Sequence, residues 1–186
     1  MRKLIASLLG LSILIASCGQ GQLKPQVIPP GWIRHNLPDG WIVYLPSGFT
    51  DSLLRDADAG SGYLLSTSEN MRLRLVSRTD VLYSQANSKR CRLSSQVALA
   101  EDAIRNDETD YFGKDNKIFR QRIDTIAGRI AIIKTPVVTG RNWVSVSISD
   151  CGSGRRLSIS GDSLSAAQEA RALQIFETIG LSANKP

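Results

Sequence analysis

Histidine and cysteine are scarce in this sequence, with one histidine, His35, and three cysteines among 186 residues. No His-Glu-x-x-His, Gly-x-Ser-x-Gly or P-loop pattern occurs, which argues against zinc hydrolases, nucleophile-elbow hydrolases and nucleotide-binding enzymes. No Cys-x-x-Cys occurs either, so a thiol oxidoreductase is disfavoured. We therefore predict that the protein is not an enzyme and holds no cofactor or metal, with His35 solvated or locally hydrogen-bonded.

Long hydrophobic runs are also missing, apart from one near the N-terminus. Residues 4–17 are uncharged and mostly apolar, and they follow Arg2 and Lys3. A membrane-spanning helix needs about 20 apolar residues, so this run is too short to span a bilayer comfortably. A short basic start, an apolar stretch of this length and small residues at its end are typical of a secretory signal peptide.

The run ends in Ile15-Ala16-Ser17-Cys18, which resembles the lipobox of bacterial lipoproteins. The resemblance implies a signal peptide over residues 1–17, a diacylglycerol on the Cys18 thiol and a domain anchored in the cell envelope, facing the periplasm. Gly19 follows in place of the aspartate that favours inner-membrane retention, so the resemblance favours the outer membrane. The alternative is a secreted protein with an unmodified cysteine near its cleavage site.

The rest of the chain has the composition of an ordinary globular protein, with 42% hydrophobic and 22% charged residues overall. Residues 18–30 are rich in Gly, Gln and Pro and predict a flexible tether. Residues 31–186 suffice for one domain. Removal of residues 1–17 leaves 21 basic and 17 acidic residues, a net charge of +4. We expect contact with the membrane through the anchor and an envelope protein or other anionic surface as partner, not nucleic acid; solubility is the alternative explanation of the charge.

Alternation of apolar and polar residues predicts about seven or eight short antiparallel strands in this domain. Turn-forming residues join several of them into hairpins, for example at Ala127-Gly128. In the strand that begins at Met71, the alternation places apolar residues inward and arginines outward. The main predicted strands are 41–45, 63–66 with 71–78, Phe119 through Ile123 with 130–133, and 143–149 with 157–160.

Two helices are predicted between and after these strands. The first spans about 94–106, with Val97, Leu99, Ala100 and Ile104 on or near one face. The second begins at a capping box formed by Ser165 and Gln168, and Gly180 is predicted to be its left-handed C-cap. The predicted fold is therefore an α+β sandwich of antiparallel sheets with an internal helix and a C-terminal helix.

Three segments carry a further pattern: DGWIVYLPSGF (39–49), TIAGRIAIIKT (125–135) and LSAAQEARALQIFETIGL (164–181). They resemble the opening strand, the central hairpin and the closing helix of the PsbP-like domains, a group that includes DcrB-type bacterial lipoproteins. The resemblance implies a PsbP-like fold and a non-enzymatic accessory or binding role.

Acidic residues form two strings that could attract a cation. Asp56 and Asp58 stand two apart, but the string lacks the further oxygen ligands of a calcium loop, so an ordinary polar turn is the preferred interpretation. Asp107, Glu108 and Asp110 are predicted to lie in a solvated loop after the first helix.

Cys91 and Cys151 both belong to the exported part of the chain. Because an oxidising compartment favours disulfides, we predict a bond between them, with two unpaired thiols as the alternative.

Arginine occurs at alternate positions in two predicted strands, as Arg72 and Arg74 and as Arg120 and Arg122. If these strands are neighbours, the four side chains form one basic platform for a partner, with Lys89, Arg90 and Arg92 adding charge. The alternative is that the arginines only keep a sheet surface soluble.

Together these patterns predict a membrane-anchored envelope lipoprotein that acts as a non-catalytic binding or assembly module. A periplasmic inhibitor or immunity lipoprotein is the alternative, and an enzyme acting on wall or lipid is the third candidate. The sequence does not decide whether a small-molecule pocket exists.

Overall fold

The structure is a computed structural model that describes residues 26–52, 61–79, 93–110, 118–141 and 143–182. These ranges contain ten strands, two α-helices and one short 3-10 turn at Pro38–Gly40. The strands are β1 (Ile33–Asn36), β2 (Trp41–Leu45), β3 (Phe49–Ser52), β4 (Ser61–Ser66), β5 (Met71–Thr79), β6 (Phe119–Ile126), β7 (Arg129–Pro136), β8 (Trp143–Asp150), β9 (Arg155–Asp162) and β10 (Gly180–Leu181), and the helices are α1 (Leu93–Asp110) and α2 (Ala166–Glu177).

The strands form two antiparallel sheets. The small sheet has the order β1-β2-β10, and the large sheet has the order β3-β4-β5-β9-β8-β7-β6. The α+β class with antiparallel sheets, predicted from the sequence, is thereby confirmed. Among the described residues, neither helix has the length and hydrophobicity that crossing a bilayer requires.

One face of the large sheet, here called the inner face, forms the floor of the core. Paired residues of neighbouring strands point to the same side of a sheet, so a cross-strand row defines a face. Such a row runs through Leu75, Ile159, Val146 and Ile133, all buried in one hydrophobic cluster. The strand β2 and the helix α2 cover this face with the fully buried side chains of Trp41, Val43, Leu45, Ala172, Ile175 and Phe176.

The alternation predicted for β2 and β5 is confirmed, because inward and outward positions are buried and open in turn along both strands. In β5, Met71, Leu73 and Leu75 are buried while Arg72 and Arg74 are exposed. The predicted hairpins over β4–β5, β6–β7 and β8–β9 are also present.

The N-terminal end of α2 has the predicted capping box. The backbone N–H of Gln168 donates to Ser165 Oγ at 3.4 Å, and the backbone N–H of Ser165 donates to Gln168 Oε1 at 2.9 Å. This reciprocal pair satisfies two backbone donors that the first turn of a helix leaves without partners. The side chain of Gln168 also donates to the carbonyl of Glu69, which ties α2 to the turn between β4 and β5.

The C-terminal end of α2 differs from the prediction. The cap is Thr178, at φ −94°, and its hydroxyl donates to the carbonyl of Ile175 at 2.7 Å. Gly180 begins β10 opposite Ile42 of β2. Gly180 does not have a left-handed φ, so the predicted left-handed cap was wrong.

The helix α1 packs against β6 and β7 at one edge of the large sheet. Buried Ala100, with Phe119 and Ile130 from the opposite, outer face of the sheet, lies outside the main core cluster. Leu99, predicted to lie on or near the packed face, is 55% exposed, because adjacent residues of a helix point about 100° apart. The acidic residues 107–110 belong to α1, not to a loop after it.

The turn between β6 and β7 holds two residues in the left-handed region, Ala127 at φ 46° and Gly128 at φ 77°. Two consecutive left-handed residues match the type I′ turn, whose backbone twist suits a two-residue hairpin. Glycine adopts this conformation freely, whereas a left-handed alanine brings its Cβ close to the next carbonyl oxygen.

Replacement of Ala127 by asparagine is therefore expected to stabilise the domain by about 1 kcal/mol, because asparagine tolerates the left-handed region and Asn-Gly favours this turn. The midpoint of urea unfolding should rise without a change in slope. Gly128→Ala serves as the opposite control and should lower the midpoint. An unchanged or lower midpoint for Ala127→Asn would show that this turn carries no strain.

Candidate binding face of the large sheet

His35 lies on β1, close to β3, the terminal strand in the order of the large sheet. Its Nδ1 is 3.8 Å from a carboxylate oxygen of Asp51 on β3, with 17% of the histidine side chain exposed. This contact links the two sheets, and the prediction that His35 is solvated or locally hydrogen-bonded stays a prediction. Across the described ranges, no group of three or more His, Cys, Asp or Glu side chains is arranged to hold a metal ion.

Several predicted features fall on residues that the structure does not describe. They include Cys18, the Asp56–Asp58 string and the basic residues 89–92. Cys151 lies in the turn between β8 and β9, but Cys91 is outside the described residues, so the disulfide stays a prediction.

The two arginine pairs are both exposed but lie far apart in the large sheet. Arg72 and Arg74 are on β5, and Arg120 and Arg122 are on β6. The strands β9, β8 and β7 separate them in the sheet order. The condition for a shared platform, that the strands are neighbours, is therefore not met.

The register also places the two pairs on opposite faces. Arg122 is opposite Ile133 and so continues the buried inner-face row past the edge of the core. Arg74 is opposite Ser160, and that row continues through Ser145 to Lys134 on the outer face. The expectation of one four-arginine platform was thus wrong, because alternation within a strand does not tell which side of the sheet its polar residues occupy.

The outer face of the three central strands carries a different basic surface. Its outward positions on β5, β9 and β8 hold four arginines and five serines, with Asp162 at the end of β9 as their one acidic residue. We call this surface the serine–arginine face; it comprises Arg72, Arg74, Arg78, Arg156, Ser145, Ser147, Ser149, Ser158 and Ser160.

Contacts on this face order the basic and hydroxyl groups. The guanidinium carbon of Arg72 lies 3.7 Å from the centroid of the Tyr63 ring, a cation–π contact that holds the side chain over β4. Ser147 and Ser158, directly opposite each other on β8 and β9, share a hydrogen bond of 3.1 Å between their hydroxyls.

Two cations also oppose each other on this face, because Arg78 of β5 is paired with Arg156 of β9. Like charges at directly opposed positions destabilise a sheet. Guanidinium groups bind carboxylates and phosphates in bidentate fashion, and serine hydroxyls can donate further hydrogen bonds to the same anions.

The ion pair between Arg129 and Asp150 has a structural role. Arg129 Nε donates to Asp150 Oδ1 at 2.9 Å, and Arg129 Nη1 donates to the carbonyl of Ala127 at 2.8 Å. These partly buried contacts join the turn of the β6–β7 hairpin to the end of β8. The sequence predicted only the turn at Ala127-Gly128, because Asp150 comes close to Arg129 through the pairing of β7 with β8.

No protein-family model matches the chain, and no curated protein does. Among solved structures, it is similar to the solution structure of cyanobacterial PsbP (CyanoP) from Synechocystis sp. PCC 6803, with 12% identity, a TM-score of 0.49 and coverage of 90% of this chain and 99% of that one. It is also similar to a protein of Bacteroides thetaiotaomicron VPI-5482, with 14% identity, a TM-score of 0.42 and coverage of 77% of this chain and 45% of that one. Similarity at this level assigns no family, and membership of the PsbP-like group stays a prediction.

Proposed function

We propose that this protein is a lipid-anchored component of the bacterial cell envelope that binds an acidic surface of another envelope component and catalyses no reaction. The serine–arginine face is the single observation that carries the binding role. The lipobox at Ile15–Cys18 supports the anchor. The resemblance of three segments to PsbP-like domains supports an accessory or binding role.

The face suits a macromolecular anion because its cations are spaced along a rigid strand. Residues two apart on a strand are separated by about 7 Å, so Arg72, Arg74 and Arg78 form a row about 20 Å long. In the described part of the chain, α1 packs mainly over β6 and β7, and the row on β5 is exposed. Extended acidic surfaces can therefore contact several guanidinium groups at once, which small anions cannot.

Reversal of the charges on this face is expected to weaken binding in a salt-dependent way. At about 1 kcal/mol or less for each exposed ion pair, Arg72→Glu with Arg74→Glu should lower affinity by up to about 30-fold. The measurement is capture of envelope components by the immobilised domain at low and high salt. The captured component also separates an assembly module from an inhibitor or immunity protein.

The chain offers a matched control, Arg120→Glu with Arg122→Glu, which changes the net charge equally on the opposite face. This control should capture as much as the wild type. Both variants should keep the wild-type fold. The first loses the Arg72–Tyr63 contact, worth about 0.5–1 kcal/mol at an exposed site, and the control loses the exposed ion pair of Arg122 Nη2 with Asp124 Oδ2 at 3.6 Å, worth about 1 kcal/mol or less. Equal losses in both variants, or none in the first, would rule out the serine–arginine face.

Acylation of Cys18 is the second expected result. Mass spectrometry of the mature N-terminus should show a cysteine with a diacylglycerol, and Cys18→Ala should leave the chain unprocessed or soluble, because the lipobox cysteine is the acyl acceptor. A correctly processed chain with an unmodified Cys18 would contradict the anchor.

A further inference from the structure

Exposed apolar side chains gather at one end of the large sheet. The strand pairing places the start of β5, the end of β7, the start of β8 and the end of β9 together, and we call this the loop end. The described residues expose six large apolar side chains, of which Val27 lies in the predicted tether and Leu99 on α1. The other four lie at or beside the loop end and are Ile33, Val137, Val138 and Trp143.

Backbone hydrogen bonds hold the most prominent part of this end in place. The N–H of Val137 donates to the carbonyl of Ile118 at 2.9 Å, and the N–H of Arg141 donates to the carbonyl of Val138 at 3.2 Å. Val138 is nevertheless 54% exposed, so its apolar surface faces water in an ordered turn. Two adjacent valines presented in this way form an apolar tip, which we define as Val137 and Val138.

An aromatic ring lies at the base of the tip. Trp143 begins β8 and is 37% exposed, and its ring packs against Phe119 with centroids 4.4 Å apart. A half-exposed tryptophan below an apolar tip matches the order of groups at a bilayer surface, where tryptophan prefers the headgroup level. Arg141, exposed beside the tip, has a long side chain that can extend to phosphate groups while its methylenes stay in apolar surroundings.

We propose that the loop end contacts the bilayer, with Val137 and Val138 inserted at the boundary of headgroups and acyl chains and Trp143 at headgroup level. This inference rests on the lipid anchor of the proposed function. It adds a second, protein-encoded contact with the same membrane. Insertion removes apolar surface from water, which is the driving force for peripheral membrane binding.

The path of the chain places the anchor within reach of this contact. Gln26, the first described residue, donates from its side chain to the carbonyl of Ile179 at 3.2 Å. Trp32 lies at the loop end, and Arg171 shows this. The guanidinium carbon of Arg171 is 6.0 Å from the centroid of the Trp32 ring, and its Nε is 3.5 Å from Glu69 Oε1 in the β4–β5 turn. Seven residues lie between Cys18 and Gln26, and these eight steps can span about 28 Å when extended. That reach exceeds the length of β2, about 17 Å, which separates Gln26 from the loop end.

This orientation is compatible with the serine–arginine face acting as a binding surface. In this orientation the strands meet the bilayer at one end and extend away from it. The outer face of the sheet is then turned sideways and not toward the bilayer. A partner in the periplasm could then contact Arg72 and Arg74 while the tip stays in the membrane.

The test uses the full acylated protein in vesicles of phosphatidylcholine and phosphatidylglycerol that contain brominated phosphatidylcholine, a contact quencher of tryptophan. Fluorescence should be quenched by the brominated lipid, also in a Trp32→Phe background, where Trp143 is the reporter; Trp143→Phe in that background should remove most of the quenching, since Trp41 is fully buried. Val137→Ser with Val138→Ser should reduce the quenching of Trp143 while the protein stays on the vesicles through its anchor. Trp32→Phe is the matched control and should retain quenching.

Different failures of this experiment have different meanings. Acylated, vesicle-bound protein whose Trp143 is not quenched, or whose quenching ignores both valine substitutions, would overturn the membrane contact and leave the anchor intact. Purified protein without an acyl chain, absent from sedimented vesicles, would overturn the anchor and this inference together.

Discussion

Burial of the inner face of the large sheet under β2 and α2 holds the described part of the fold together. Trp41 of β2 and Ile175 and Phe176 of α2 are fully buried against that face. Each such side chain contributes about 1.5–3 kcal/mol when it leaves water, so these contacts dominate over the polar ones. Thr178 couples the two covering elements, because its Oγ1 accepts a hydrogen bond from the backbone N–H of Tyr44 at 3.1 Å.

The burial of the inner face of the large sheet determines which residues occupy its outer face. Side chains alternate between the faces, so each strand that supplies valine, leucine or isoleucine inward must place its remaining positions outward. On β8 these outward positions are mostly serine, on β5 mostly arginine, and on β9 both. The open basic face and the apolar core are therefore two consequences of one alternation. Where α1 adds a second layer, the outward positions on β6 and β7 change to larger apolar residues such as Phe119 and Ile130.

Local patterns in the sequence predicted the elements whose signal is local. The alternation in β2 and β5, the turn at Ala127-Gly128 and the capping box at Ser165 each depend on residues close together in the chain. The strands β1 and β3 were not predicted, because β1 buries none of its four residues fully and β3 buries only Phe49, which leaves no alternation to detect.

Features that depend on pairing between distant strands could not be predicted from the sequence. Arg72 and Arg120 show the same local pattern, yet their faces differ because β5 pairs with β9 and β6 pairs with β7. Gly180 follows a helix and resembles a cap by position, but it begins β10 and pairs with Ile42 of β2. The contribution of Arg78 and Arg156 to the basic face likewise appears only when β9 is placed beside β5.

The central claim is that the outer face of β5, β9 and β8 meets another component of the envelope. Site-specific photo-cross-linking in intact cells tests it most directly, with a photoreactive phenylalanine analogue in place of Ser147 on that face or Ala170 on the exposed side of α2. Our account predicts a discrete adduct from the Ser147 position and none from Ala170, because only the first lies among the cations that would contact an acidic partner. Adducts from Ala170 alone would place the binding surface on α2 and contradict the account.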